Sequence, residues 1–262
     1  MPTPRVVCVD DEPSFAELTA THLERHATVE AEGFTDPDLV LRAVEDDDVA
    51  CVISDYDMPG MDGLEVLEAV RERNPDLPFV LYTGKGSEEV ASEAISNGVT
   101  EYLQKSTDPS QYQVLANRVE NAIERYRVEA ELERQRTLVE RIVETTPISL
   151  LVHKGSGDVV VANERARSLL HMDDESLHLR SYEASDWELY AADGTRLAED
   201  DLPAARVIEN DSGLWNESYG VEVDGVRFDI ELNAEPLYDG DGELLYVVVA
   251  FTVDEELGDA AD

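Results

Sequence analysis

The chain of 262 residues carries 60 acidic and 20 basic side chains, a formal net charge of −40, with 42% apolar residues. That length accommodates two domains of ordinary size, and an acidic excess spread along the chain, with the apolar content of a globular protein, argues against disorder. The lack of a basic patch excludes a nucleic-acid backbone as partner. Apolar runs of strand length only, with no visible signal peptide, lead to the expectation of a cytoplasmic protein without membrane insertion.

Arg5-Val6-Val7-Cys8-Val9 reads as a first short apolar strand, followed at once by Asp10-Asp11-Glu12-Pro13. Pro13 suits the first turn of a helix whose apolar side would carry Phe15, Leu18 and Leu23. Thr28 to Gly33 is a weak edge strand, and Asp36-Pro37 opens a helix with Leu39, Val40, Leu41 and Val44. The run Cys51-Val52-Ile53-Ser54 is a buried strand that ends in Asp55, and Pro59-Gly60 then turns the chain out of the sheet. A helix over about Asp62 to Arg73 follows, then a strand Phe79 to Tyr82 ending in Thr83-Gly84. A helix over Ser87 to Asn97 stops at Gly98, and Glu101 to Gln104 forms a fifth strand closed by Lys105. Five strands alternating with five helices predict a doubly wound parallel sheet, an α/β fold with helices on both faces. Cys8 and Cys51 then lie in buried strands, without CxxC spacing, and read as reduced small hydrophobes.

In such a sheet Asp10, Asp11, Asp55, Thr83 and Lys105 all sit at carboxyl ends of strands, the edge where ligands bind. Three converging carboxylates stay ionised only around a cation, and hard oxygen ligands suit Mg²⁺. With a hydroxyl and an ammonium beside them, the set can hold a phosphoryl group, and Asp55 can attack its phosphorus. Asp55-Tyr56-Asp57 is also similar to the D-x-D of haloacid-dehalogenase-like phosphatases, but Pro59 stands where Thr or Val is wanted. Gly84-Lys85-Gly86-Ser87 lacks the first glycine of a phosphate loop and reads as a turn.

Through Asp10-Asp11, Asp55, Met58-Pro59-Gly60, Asp62-Gly63-Leu64, Thr83-Gly84, Tyr102 and Lys105, the first 125 residues resemble a response-regulator receiver domain of two-component signalling, a flavodoxin-like fold. The resemblance implies Asp55 as phosphoacceptor from a histidine kinase and Mg²⁺ held by Asp11, Asp55 and the backbone carbonyl of Asp57, with Asp10 acting through water. It implies that Thr83 and Lys105 contact phosphoryl oxygens and that Tyr102 is a switch aromatic. The family's proline after the lysine, in a cis peptide, is replaced by Ser106. The implied protein is a phosphoacceptor, not an enzyme that turns over an external substrate. The alternatives are a phosphatase, and a ligand sensor whose receiver is a non-phosphorylated scaffold. The Asp/Glu-rich, Lys-poor composition resembles haloarchaeal cytoplasmic proteins adapted to concentrated salt.

From Ser110 a helix runs past the receiver, and Val128, Leu132, Gln135, Val139 and Ile142 recur at steps of three and four. Residues 126–146 are therefore a linker, compatible with a parallel coil in a homodimer or with a solvated connector helix. Residues 147–255 give two strands (Ile148 to His153, Asp158 to Ala162), a short helix, an Asp-rich helical section to about Asn210, and three strands, Leu214 to Val223, Val226 to Leu237 and Glu243 to Val253. That pattern, with Asn163 opening the helix, resembles an α+β PAS sensor domain with a five-stranded antiparallel sheet. It has no cysteine; His153, His171 and His178 read as structural or exposed, Trp187 and Trp215 as core in preference to a dimer face, and a small apolar ligand or none is expected. Residues 256–262 form an acidic tail. With no kinase core and no basic recognition helix, output is expected through contacts with a downstream signalling protein.

Overall fold

The computed structural model describes residues 2–45, 48–84, 88–106, 108, 110–172 and 187–253. The expected turn at Lys85 to Ser87, His178 and the acidic tail lie outside the described residues. Two compact units divide between Arg134 and Gln135, inside the expected linker.

In the first unit β1 (Arg5–Val9), α1 (Pro13–His26), β2 (Glu30–Phe34), α2 (Pro37–Glu45), β3 (Val49–Ser54), α3 (Gly63–Arg73), β4 (Phe79–Thr83), α4 (Glu88–Ser96), β5 (Glu101–Gln104) and the start of α5 (Gln111–Thr145) follow in order, α5 running on past Arg134. The strands form one parallel sheet in the order β2-β1-β3-β4-β5. Side chains alternate across it, as a period of two requires. Val7, Val9, Val52, Phe79 and Leu81 pack with α2, α3 and α4 through Val40, Val66, Leu67 and Ala94. Val6, Cys8, Cys51, Ile53 and Val80 pack with α1 and α5 through Leu23, Leu115, Val119 and Ile123. Both faces are thus covered, which explains why β3 is buried along its whole length.

Local chemistry sets the helix starts. Pro13 opens α1, and Asp62 caps α3 in a capping box, its Oδ1 accepting from the amides of Leu64 and Glu65 while Glu65 accepts from the Asp62 amide. The apolar side expected for α1 needs correction: Leu23 is buried, but Phe15 and Leu18 face solvent, and the inner face is Ala16, Thr19, Ala20 and Leu23. Small residues are needed there because β2 runs close by. A Cβ on Gly33 would come within 2.8 Å of the Ala16 backbone.

The second unit contains β6 (Ser149–Lys154), β7 (Val159–Ala162), α6 (Glu164–Leu169), β8 (Trp187–Tyr190), α7 (Pro203–Asn210), β9 (Leu214–Val223), β10 (Val226–Tyr238) and β11 (Leu244–Val253). Among the described residues its antiparallel sheet has six strands, in the order β7-β6-β11-β10-β9-β8, rather than five. The additional strand, β8, lies where a helical section was expected. Its Trp187 and Leu189 point into the core while Glu188 and Tyr190 point outward, and it pairs with Gly220 to Val223 of β9. Trp215 is also not core: it is 60% exposed on β9. Asn163 holds the start of this unit together. Fully buried, it caps α6 through Ala166, accepts from the Leu150 amide, and donates to the carbonyls of Val143 and Ile148.

Candidate functional site

The carboxyl ends of β1, β3, β4 and β5 bring Asp10, Asp55, Thr83 and Lys105 together, as a parallel sheet dictates. Asp10, Asp55 and Thr83 are buried, at 5%, 8% and 1% exposure. Asp55 is set by its amide, which donates to the Val9 carbonyl, and by the β3–α3 loop beneath it. There the Gly63 amide donates to the Tyr56 carbonyl at 2.9 Å, and a Cβ on Gly63 would lie 2.3 Å from the Asp55 carbonyl oxygen. Only glycine permits that approach. Gly60, at φ +90°, makes the preceding turn.

Lys105 bridges the two buried carboxylates. Its Nζ lies 2.5 Å from Asp10 Oδ2 and 2.6 Å from Asp55 Oδ1. The remaining oxygens are also engaged: Asp10 Oδ1 accepts from the Glu12 amide at 3.0 Å, and Asp55 Oδ2 from the Asp57 amide at 2.8 Å. Burial acts to lower the Lys105 pKa, but the bonds to Asp10 and Asp55 outweigh it and hold the ammonium above the usual lysine range. The same Nζ stands 5.1 Å from the centre of the Phe15 ring and 5.9 Å from that of Tyr82. Phe15, expected on the apolar side of α1, is instead partly solvent-exposed with its ring beside the ammonium.

The other expected site residues divide. Asp11 and Asp57 are exposed at the same edge. Tyr102 on β5 is half-buried against the core on the α2–α4 side, and its buried hydroxyl has no hydrogen-bond partner among the described residues. The donor set can suit Mg²⁺, which takes one or two carboxylates and keeps its waters. Among the described residues, however, no three His, Cys, Asp or Glu side chains converge closely enough to hold a metal, and the Lys105 ammonium lies between the two buried carboxylates.

The loop after Lys105 depends on a residue that the sequence did not single out. No described peptide is cis, so the Lys105–Ser106 bond is trans. The Ser106 amide donates to Gln111 Oε1, which also accepts from the Tyr82 hydroxyl at 2.7 Å, while the Lys105 amide donates to the Thr83 carbonyl at 2.8 Å. The signal was available in principle: a non-proline residue brings an amide that needs an acceptor, and the first residue of α5 is positioned to supply one.

Residues 6–117 match the response regulator receiver domain family. They are a receiver domain. Curated relatives include PgtA, the phosphoglycerate transport system transcriptional regulatory protein of Salmonella typhimurium, 30% identical over 47% of this chain and 28% of that protein. FixJ of Bradyrhizobium diazoefficiens is 33% identical over 34% of this chain and 42% of that protein, and NtrC of Escherichia coli is 36% identical over 42% and 21%. The chain spans less than half the length of each. A receiver domain from Clostridium thermocellum is similar to 48% of this chain and 98% of its own, at 25% identity and a TM-score of 0.44. The receiver domain ties this part of the chain to two-component response regulation.

The second unit has an apolar pocket of about 30 Å³ lined by Leu151, His153, Trp187, Leu232 and Phe251, among others. His153 is buried there with its Nδ1 3.0 Å from the Gly157 carbonyl, and burial pushes its pKa down. His171 is exposed and paired with Asp224 at 2.6 Å. Among the described residues no helix is long and apolar enough to cross a membrane.

Proposed function

We propose that the chain is a response regulator whose receiver accepts a phosphoryl group on Asp55 from a histidine kinase and passes the signal on by protein contacts. The observation that supports this is the pairing of Lys105 Nζ with Asp10 and Asp55: a buried carboxylate and an ammonium stand 2.6 Å apart, and they would serve as nucleophile and phosphate-pairing cation. An Asp55 oxygen would form the new bond to phosphorus as the bond from phosphorus to the kinase histidine breaks, and the histidine nitrogen would take up a proton. Lys105, released from Asp55, would pair with a phosphoryl oxygen, and Thr83, at the end of β4, would contact another. Asp11, Asp55 and the Asp57 carbonyl would hold Mg²⁺, with Asp10 behind a water. When bound, Mg²⁺ supplies neutralisation of the charge that develops on the phosphoryl oxygens. Tyr102 would move with Thr83.

The second unit is proposed to be a PAS module. The order β7-β6-β11-β10-β9 and the Asn163 cap of α6 support that reading, with β8 as an addition to it. Its ligand would be small and apolar if it takes one, and the acidic surface would suit concentrated salt in a haloarchaeal cytoplasm.

Incubation with acetyl phosphate and Mg²⁺ should give one labile acyl phosphate per chain, absent in Asp55→Asn and without sustained turnover of a phosphomonoester. Equal labelling of Asp55→Asn, or repeated turnover by the parent, would refute the proposal.

A further inference from the structure

The apolar residues of α5 lie on two faces. Leu115, Ala116, Val119, Ala122 and Ile123 are buried against the parallel sheet. Val128, Leu132, Val139 and Ile142 are 58%, 67%, 59% and 56% exposed. At about 100° per residue, the mean direction of the second set is roughly opposite to that of the first. Near its end the helix is tied to α6 by Glu144, whose Oε1 lies 3.1 Å from Arg167 Nη1. Glu144 too points away from the exposed stripe, by about 160°. Among the described residues the stripe serves none of these attachments, and on a chain of net charge −40 it is an exposed apolar face.

We infer that this stripe is one half of a parallel two-stranded coiled coil whose other half is the same segment of a second copy of the chain. The positions 128, 132, 135, 139 and 142 step by four, three, four and three, the alternation of d and a sites in a heptad, with Gln135 as the one polar residue in the seam. The flanking positions decide the occupant and its direction. In a parallel pair each g residue meets the e residue five places later in the other copy. Glu131 then faces Arg136 of the second copy, and Leu138 faces its Val143. One pair is oppositely charged and the other apolar, and the two-fold axis makes each twice. One heptad earlier the same relation joins Glu124 with Glu129, two like charges, which sets the start of the coil near Val128. An antiparallel alignment brings g against g and e against e, and forfeits both pairs. Among the described residues of its own chain Arg136 pairs with exposed Glu140, at 3.0 Å, a weak bond that is easily shared.

Sedimentation equilibrium of the full chain tests the coil. About 1 M KCl screens the repulsion between two strongly acidic copies. The parent should dimerise with rising concentration. Val139→Glu should raise the dimer Kd more than about tenfold, and Gln135→Leu should lower it. Glu131→Arg and Arg136→Glu should each weaken the dimer, and the double exchange should restore it. These positions are exposed, so far-UV circular dichroism should report an unchanged fold. A parent that stays monomeric to about 300 µM, a dimer indifferent to Val139→Glu, or a double exchange weaker than either single change would each overturn the coil.

Discussion

Replacing Lys105 by methionine keeps most of the stem and removes the charge that separates Asp10 from Asp55. Breaking one partner out of a buried ion pair costs about 3 to 5 kcal/mol. Here the cost has a ceiling, because one of the stranded carboxylates can take a proton instead. For an ordinary aspartate of pKa about 3.9, at about 1.4 kcal/mol per pH unit, that proton costs about 4 kcal/mol at pH 7 and about 1.5 kcal/mol at pH 5. The loss of stability in Lys105→Met should thus shrink by about 2.5 kcal/mol between pH 7 and pH 5. In the parent the sign is opposite. The raised Lys105 pKa contributes stability that is complete below about 10.5 and is lost only as the pH rises past the folded value. Trp187 and Trp215 both lie in the second unit, so their fluorescence does not report on the receiver. Amide hydrogen exchange of Val52 and Ile53, buried in β3, does. If the variant matches the parent at pH 7, or loses the same amount at both pH values, the electrostatic argument for this site fails.

Three further outcomes follow from the geometry. Gly63→Ala places a methyl group 2.3 Å from the Asp55 carbonyl oxygen and 3.0 Å from the Tyr56 Cα; a loss of about 3 kcal/mol is expected, and an unshifted melting midpoint by circular dichroism would contradict it. Gln111→Leu removes the shared acceptor of the Ser106 amide and the Tyr82 hydroxyl. It should cost about 1 to 2 kcal/mol and slow labelling by acetyl phosphate, and Ser106→Pro should add less in that background than in the parent; strict additivity would argue that the two residues act separately. His153 is held neutral by burial, so the unfolded chain binds a proton that the folded one refuses once the pH falls below about 6.5. The second unit is then fully stable above that value and weakens below it, and His153→Phe should flatten the slope seen by tryptophan fluorescence.

The sequence exposed those parts of the site that strand ends determine. Asp10, Asp55, Thr83 and Lys105 each close an apolar run, and a parallel sheet leaves them only one edge to share. Phe15 and Gln111 were not legible because their roles arise when separate loops meet: a ring beside the ammonium, and an amide oxygen between β4 and the start of α5. Asp62-Gly63-Leu64 was visible as a motif, whereas the closeness of Gly63 to the Asp55 carbonyl is a packing fact. In the second unit, four alternating residues were too short a run to mark β8 within an acidic stretch. Trp215 shows the reverse error: a large aromatic on a strand can point to solvent when its inner neighbours fill the core.

The grip on Lys105 also gives the protein an unusual chemical signature. The sequence holds three lysines, Lys85, Lys105 and Lys154. Lys154 is exposed, while Lys105 is clasped between carboxylates at 2.5 and 2.6 Å with its proton firmly retained. Acylating reagents attack only a free, deprotonated amine. Brief acylation followed by mass spectrometry would then read the state of the Asp10–Asp55 pocket from a single side chain, with Lys154 as the internal reference. In a protein with an ordinary number of lysines, that signal would be lost among the surface amines.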